Sequence, residues 1–230
     1  MTRSTPITPK CPNYKSAQSS TSTAACSTAY TVHSSRPSPS QVYSREIQTL
    51  FLHDSPWLRL IKAIEVATFA SGCFWGTEHI FVKHYGQKGI LKTAVGFTGG
   101  DIANPTYRQV CTKDTGHAEA LRVEFDPGKV GYAELVEFFY RTHNPTTLNR
   151  QGNDAGPQYR SAIFTHSPEQ ERIAKEVTAE VQAKHFDPKG LKIVTAILPA
   201  GEWWAADESH QMYLFKNPSG YQCETHRLHW

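Results

Sequence analysis

A β-type run, Glu65-Val66-Ala67-Thr68-Phe69-Ala70-Ser71, gives way at Gly72 to a helix-like apolar pattern over 73–85, and this change of period recurs down the chain. Strands follow at 90–97 and 119–125, the second with alternating Leu121, Val123 and Phe125. Leu135, Val136, Phe138, Phe139 and Tyr140 give the stretch 132–143 one apolar stripe and predict a helix. A strand over 159–164 comes next. Ser167-Pro168-Glu169-Gln170 then reads as an N-cap, a proline in the first turn and a capping-box glutamine, opening a helix to about 186. A strand over 192–198 completes the order β-α-β-β-α-β-α-β. That order predicts an α+β two-layer sandwich, with helices packed on a mixed, largely antiparallel sheet in the manner of a ferredoxin-like plait.

Two polar loops, 98–116 and 144–158, interrupt this frame, and loops of that length in a compact domain usually carry function. The first 60 residues differ in kind. Ser, Thr and Pro dominate, and Arg3, Lys10, Lys15, Arg36 and Arg45 all precede the first acid, Glu46. Such a segment buries too little apolar surface to order itself, and its acid-poor, Ser-rich character also fits an organellar presequence, although its prolines spoil an amphipathic helix. The expectation is a disordered or transit-like extension over 1–60, a catalytic domain over 61–215 and a tail over 216–230. The compartment is cytoplasmic or mitochondrial. Leu50, Phe51, Leu52, Trp57 and Leu58 predict a short helix within 42–64, broken at Pro56.

Composition narrows the function classes. Of 230 residues, 39% are hydrophobic and 20% charged, and a net charge of +3 with dispersed Lys and Arg gives no case for nucleic acid or a membrane surface. No run approaches the roughly 18 apolar residues of a spanning helix. Cys11, Cys26, Cys73, Cys111 and Cys223 are odd in number and widely spaced, unlike a secreted disulfide framework. Among them Cys73 has the most informative setting, Gly72-Cys73-Phe74-Trp75-Gly76, at a strand-to-helix junction where the free N–H groups of a helix start favour a thiolate. Cys73 is therefore expected to ionise more readily than a free cysteine.

The two loops and the strand starts that follow them carry Tyr107, Glu119, Asp154 and Tyr159. Taken with the 72–76 motif, the Gly96-Phe97-Thr98-Gly99-Gly100, Gly116-His117-Ala118-Glu119, Arg150-Gln151-Gly152-Asn153-Asp154 and Gln158-Tyr159-Arg160-Ser161 stretches resemble the A-type peptide methionine sulfoxide reductases. The resemblance continues through His210-Gln211 and Asn217-Pro218-Ser219-Gly220-Tyr221, and covers about 65 to 230. It implies that Cys73 attacks the sulfur of a methionine S-sulfoxide, free or in oxidised proteins, and becomes a sulfenic acid. Glu119 is then the acid that protonates the sulfoxide oxygen, Tyr107 and Tyr159 hold that oxygen, and Asp154 orders the site. Phe74 and Trp75 receive the ε-methyl group. The resemblance further implies a monomer with no bound cofactor or metal, in which Cys223 resolves the sulfenic acid and thioredoxin reduces the resulting disulfide. Cys111 is either a backup thiol or non-catalytic, and the family's C-terminal resolving position favours the latter.

Phe97, Asn144 and Pro157 stand where many relatives have Tyr, Asp and Thr, which bears on substrate preference rather than reaction type. Two other chemistries compete. A cysteine hydrolase would use Cys73 with His117 or His210 as base, and a zinc site would use Cys223, His226 and His229 with a further ligand.

Overall fold

Phe69 is the centre around which the plait is packed. Its ring stacks on Phe81 at 5.3 Å and on Phe139 at 5.4 Å, joining the first strand to two helices. The computed structural model describes residues 63–112 and 115–230. The predicted helix within 42–64 lies almost wholly outside the described residues, as do Cys11 and Cys26.

The strands are β1 (Glu65–Ser71), β2 (Ile90–Thr98), β3 (Ala118–Phe125), β4 (Arg150–Gln151), β5 (Asp154–Ala155), β6 (Ser161–Thr165), β7 (Ala196–Pro199) and β8 (Trp203–Ala205). The helices are α1 (Phe74–Tyr85), α2 (Tyr107–Thr112), α3 (Tyr132–Arg141), α4 (Pro168–Val181) and α5 (Tyr213–Lys216). Six strands form one sheet in the order β7-β6-β1-β3-β2-β8. Within it β6-β1-β3-β2 is the antiparallel core of a ferredoxin-like plait. β7 extends one edge in parallel with β6, and β8 extends the other, antiparallel to β2. The predicted fold class is the observed one.

Alternation along the strands separates two faces. Phe69, Leu121, Val123 and Ile163 point to the side of α1 and α3, where the main core lies. Ala70, Ala118, Ala120, Ala162 and Phe164 form a smaller cluster on the opposite side, partly covered by Trp203. A cavity of about 370 Å³ lined by Thr68, Thr98, Arg122, His166 and Trp203 opens there, apart from the residues that surround Cys73.

Helix α4 begins as the sequence predicts. Ser167 Oγ accepts from the Gln170 N–H at 3.1 Å, Gln170 Oε1 accepts from the His166 N–H at 3.0 Å, and Gln170 Nε2 donates to Val66 O, tying the helix start to β1. Several elements depart from the sequence reading: β8 and α5 were not expected, and β7 begins at Ala196 rather than 192. The loop 98–116 contains α2, capped by Thr106, whose hydroxyl accepts from Gln109 N–H while Gln109 Oε1 accepts from Thr106 N–H. That reciprocal pair is a Thr-x-x-Gln capping box the periodicity reading passed over. The loop 144–158 folds into the β4-β5 hairpin across Gly152-Asn153, with Gly152 at φ 55°. Tyr159 sits in a 3₁₀ turn, Pro157–Tyr159, ahead of β6 rather than within it.

Candidate active site

Gly72 turns the chain out of β1 with φ 96°, and Cys73 becomes the N-cap of α1. A side chain at Gly72 would collide with Gln151 of the β4-β5 hairpin, its Cβ lying 2.6 Å from that of Gln151. The turn thus needs glycine for its φ and for the close approach. Cys73 itself is buried.

The structure corrects the expectation about its thiol. The N–H groups of Trp75 and Gly76 favour the thiolate as the helix start predicts, but burial outweighs them, and the charges of Glu119 and Asp154 act in the same direction. The thiol is pushed well above its ordinary value. A helix terminus supplies partial charge, whereas desolvation penalises a whole one.

Glu119 projects from β3 toward the same helix start, and its Oε2 accepts the Phe74 N–H at 3.1 Å. Burial raises its pKa to about 8, opposed by that hydrogen bond and reinforced by Asp154. The carboxyl group is therefore mainly protonated at neutral pH. Burial also pushes the Tyr107 and Tyr159 phenols up, and the charges of Glu119, Cys73 and Asp154 add to this in both. The structure thus brings together Cys73, Glu119, Tyr107, Tyr159 and Asp154, from the N-cap of α1, β3, α2, the 157–159 turn and β5. Asp154 Oδ1 accepts from the Tyr221 hydroxyl at 2.7 Å, and its carboxyl pKa is raised by burial.

The aromatic wall is broader than Phe74 and Trp75. Trp75 Nε1 donates to His210 Nδ1 at 3.1 Å, and its ring stacks on Tyr213 at 3.9 Å. His210 also lies 4.4 Å from the Tyr107 ring. Two polar side chains, the buried Glu78 and the half-buried Gln211, hold this 210–213 turn. Glu78 Oε2 accepts from Met212 N–H, and Gln211 bonds both the N–H and the carbonyl of Val95. His210-Gln211 was visible as a motif, but nothing in the sequence gave it a position. Tyr221 was visible as part of the 217–221 motif but without a role, and Tyr213 and Glu78 carried no signal of their own, because each acts across more than 60 residues of sequence.

Cys223 is buried, with Sγ 3.1 Å from Thr225 Oγ1 and 3.5 Å from Gln151 O. Cys73 and Cys223 are the free cysteines among the described residues. Cys111 is buried in α2.

The rival chemistries fare poorly in this geometry. His117 Nδ1 accepts from Gly100 N–H and its Nε2 donates to Ile102 O, so both ring nitrogens serve the loop. His210 Nδ1 is occupied by Trp75. Among the described residues no group of three or more His, Cys, Asp or Glu side chains is arranged to hold a metal ion. His226 and His229 bond different backbone carbonyls, those of Ser71 and Thr225. No helix among the described residues is long and apolar enough to cross a membrane.

Residues 65–229 match the family model described as peptide methionine sulfoxide reductase. A probable peptide methionine sulfoxide reductase of Schizosaccharomyces pombe is 55% identical over 168 residues, covering 73% of this chain and 98% of its own length. A peptide methionine sulfoxide reductase MsrA of Methanoculleus marisnigri is 51% identical over 167 residues, covering 71% of this chain and 96% of its own. Among solved structures, reduced Mxr1 from Saccharomyces cerevisiae superposes with a TM-score of 0.67 at 40% identity, over 73% of this chain and 97% of that one. Methionine sulfoxide reductase A of Corynebacterium diphtheriae gives 0.65 at 41%, over 72% and 81%. With the Gly72-Cys73 turn, the buried Glu119 and two free thiols inside the matched span, this chain belongs to the peptide methionine sulfoxide reductase family.

Proposed function

We propose that the protein reduces the S epimer of methionine sulfoxide, in proteins and as the free amino acid, using Cys73 as nucleophile and Cys223 as resolving thiol. The observation that carries this reading is Glu119: a carboxyl group buried beside the nucleophile's helix start, with its pKa raised to about 8. An acid that holds its proton at neutral pH suits a reaction in which a sulfoxide oxygen must be protonated as it leaves sulfur.

Cys73 Sγ attacks the electrophilic sulfur, Glu119 delivers a proton to the sulfoxide oxygen, and the Tyr107 and Tyr159 hydroxyls hold that oxygen as charge develops on it. The oxygen ends on Cys73 as a sulfenic acid, and two electrons pass to the sulfide product, methionine. Burial makes the thiolate the minor form of Cys73 in the free protein. The charges of Cys73 and Glu119 oppose each other, so the state with an ionised thiol and a protonated acid is favoured over the state with both ionised. Phe74 and Trp75 supply the apolar wall for the ε-methyl group, and Asp154, bonded to Tyr221, orders the hairpin side of the site.

Cys223 then condenses with the sulfenic acid, and thioredoxin reduces the Cys73–Cys223 disulfide. The two free thiols support that route. The domain reading is a catalytic unit over 61–215 with a resolving tail over 216–230, acting as a monomer without a bound cofactor. Its home is the cytoplasm or the mitochondrion.

The test is incubation with an equal mixture of the two sulfoxide epimers and a dithiol, with a Cys73→Ser variant alongside. Loss of the S epimer alone, abolished in the variant, is expected. Consumption of neither epimer by folded protein contradicts the reading.

A further inference from the structure

His226 is buried at 5% exposure, outside every role described so far, and three residues beyond Cys223. Its Nε2 lies 2.8 Å from the Ser71 carbonyl. A carbonyl oxygen only accepts, so Nε2 carries the proton and Nδ1 a lone pair. Nδ1 has no partner and no contact with solvent. Burial lowers the imidazole pKa to about 4, so the ring is neutral at neutral pH.

The ring occupies a slot made by the nucleophile's own turn. A Cβ on Gly76 would lie 2.0 Å from His226 Nδ1 and 2.9 Å from its Cε1, and a Cβ on Gly72 would lie 3.7 Å from its Nε2. Any side chain at Gly76 would displace the imidazole. The histidine therefore touches the chain two residues before Cys73 and three residues after it.

His226 is also coupled to Cys223. Its N–H donates to Cys223 O at 3.1 Å, closing a turn that fixes the two residues relative to each other. The segment is held on both sides of that turn. Tyr221 bonds Asp154 ahead of it, and Trp230 Nε1 bonds Glu137 beyond it while its ring stacks on His185 at 4.0 Å. Of these anchors only His226 reaches the Ser71-to-Gly76 turn.

We propose that His226 is a positioning residue for the resolution step, holding Cys223 in register with Cys73 by seating its imidazole between Ser71 O and Gly76. The proposal rests on the reading of Cys223 as the resolving thiol. In the step concerned, Cys223 sulfur attacks the Cys73 sulfenic sulfur. The S–S bond forms, the S–O bond breaks, and the departing hydroxide leaves with the Cys223 proton as water. No outside oxidant or reductant takes part. A thiol displaced by about an ångström from its attack geometry loses on the order of 10²-fold in rate, while the preceding step, which involves Cys73 and not Cys223, is untouched.

The test measures both half-reactions in one experiment without reductant: methionine released in a single turnover, and the rate at which Cys73 and Cys223 thiols are lost to a disulfide, with a 1,3-dicarbonyl trap for the sulfenic acid. In His226→Ala the methionine burst should stay within about twofold of the parent, disulfide formation should slow at least about tenfold, and the trapped sulfenic acid should accumulate. His226→Gln, which keeps a donor near Ser71 O, should recover most of the rate. Disulfide formation at the parent rate in folded His226→Ala overturns the proposal. So does a burst that falls in step with disulfide formation in both variants, because the residue then supports the Cys73 turn as a whole. Absence of a burst in the parent protein strikes instead at the function on which the proposal rests.

Discussion

The plait and the tail beyond α5 hold their chemistry in different ways. Cys73 and Glu119 stand at the ends of paired strands, β1 and β3, and the backbone itself sets their separation. Beyond β8 the only regular element is the one-turn helix α5, and Cys223 is kept in place by side chains: Tyr221 on Asp154, His226 on Ser71, Trp230 on Glu137. A strand ladder spreads its bonds over many residues, whereas a side-chain anchor is removed by one substitution. The first arrangement suits a nucleophile and acid that must keep one geometry. The second suits a thiol that engages one partner for resolution and then presents a disulfide to a reductant.

Damage on the two sides should therefore look different. Cys73→Ser should abolish methionine formation, lowering the single-turnover rate by about 10⁴-fold or more, as loss of a nucleophile does elsewhere. Glu119→Gln should cost about 10²–10⁴-fold in the same assay. It should also change the pH profile. The proton on Glu119 is held up to about pH 8, so the parent's burst rate should fall as pH rises through that value, and the Gln variant should lack the fall. The stability sign follows. The native carboxyl binds its proton more tightly than the unfolded chain, where its value is near 4.5, so its contribution is full below about pH 4.5 and is lost as pH rises through about 8. Denaturant melts of Glu119→Gln should accordingly lose less stability than the parent over that window.

Smaller effects on the plait side come from the two phenols. Removing one hydroxyl, by Tyr107→Phe or Tyr159→Phe, should lower the burst rate by about 10²-fold, the lower end for loss of one oxyanion donor, and removing both should lower it further. On the tail side Cys223→Ser should leave the burst intact and stop turnover supported by thioredoxin. That contrast is the sharpest way to separate the two regions. Trp230→Ala should have the least effect, a loss on the order of 1 kcal/mol in a denaturant melt from the lost ring stack and indole bond, with the burst unchanged. An equal fall in burst and turnover for the tail variants would erase the distinction.

The plait was readable because its signals are local. The alternation of β3, the stripe of α3 and the Ser167-Pro168 start of α4 each lie within one element, and the capping box at Thr106 and the Gly152-Asn153 turn were equally local signals left unread. The site residues were reached through the family resemblance, and the structure brings Cys73, Glu119, Tyr107, Tyr159 and Asp154 to one place. Local reasoning failed where an environment is built from distant segments. The thiol of Cys73 was expected to ionise easily from its helix start, yet the burial and carboxylates that raise it come from β3 and the hairpin. The anchors of the tail were hidden for the same reason, since the His226 to Ser71 bond spans 155 residues.

The central claim is that reduction needs Cys73 and no second thiol, and that Cys223 serves only resolution. The direct measurement is a single turnover of Cys223→Ser on each sulfoxide epimer, without reductant, counting methionine and identifying the oxidised sulfur by mass. One methionine per protein from the S epimer, none from the R epimer, and one oxygen on Cys73 is the predicted result. No methionine from folded protein, or an oxygen found on any other residue, would contradict it.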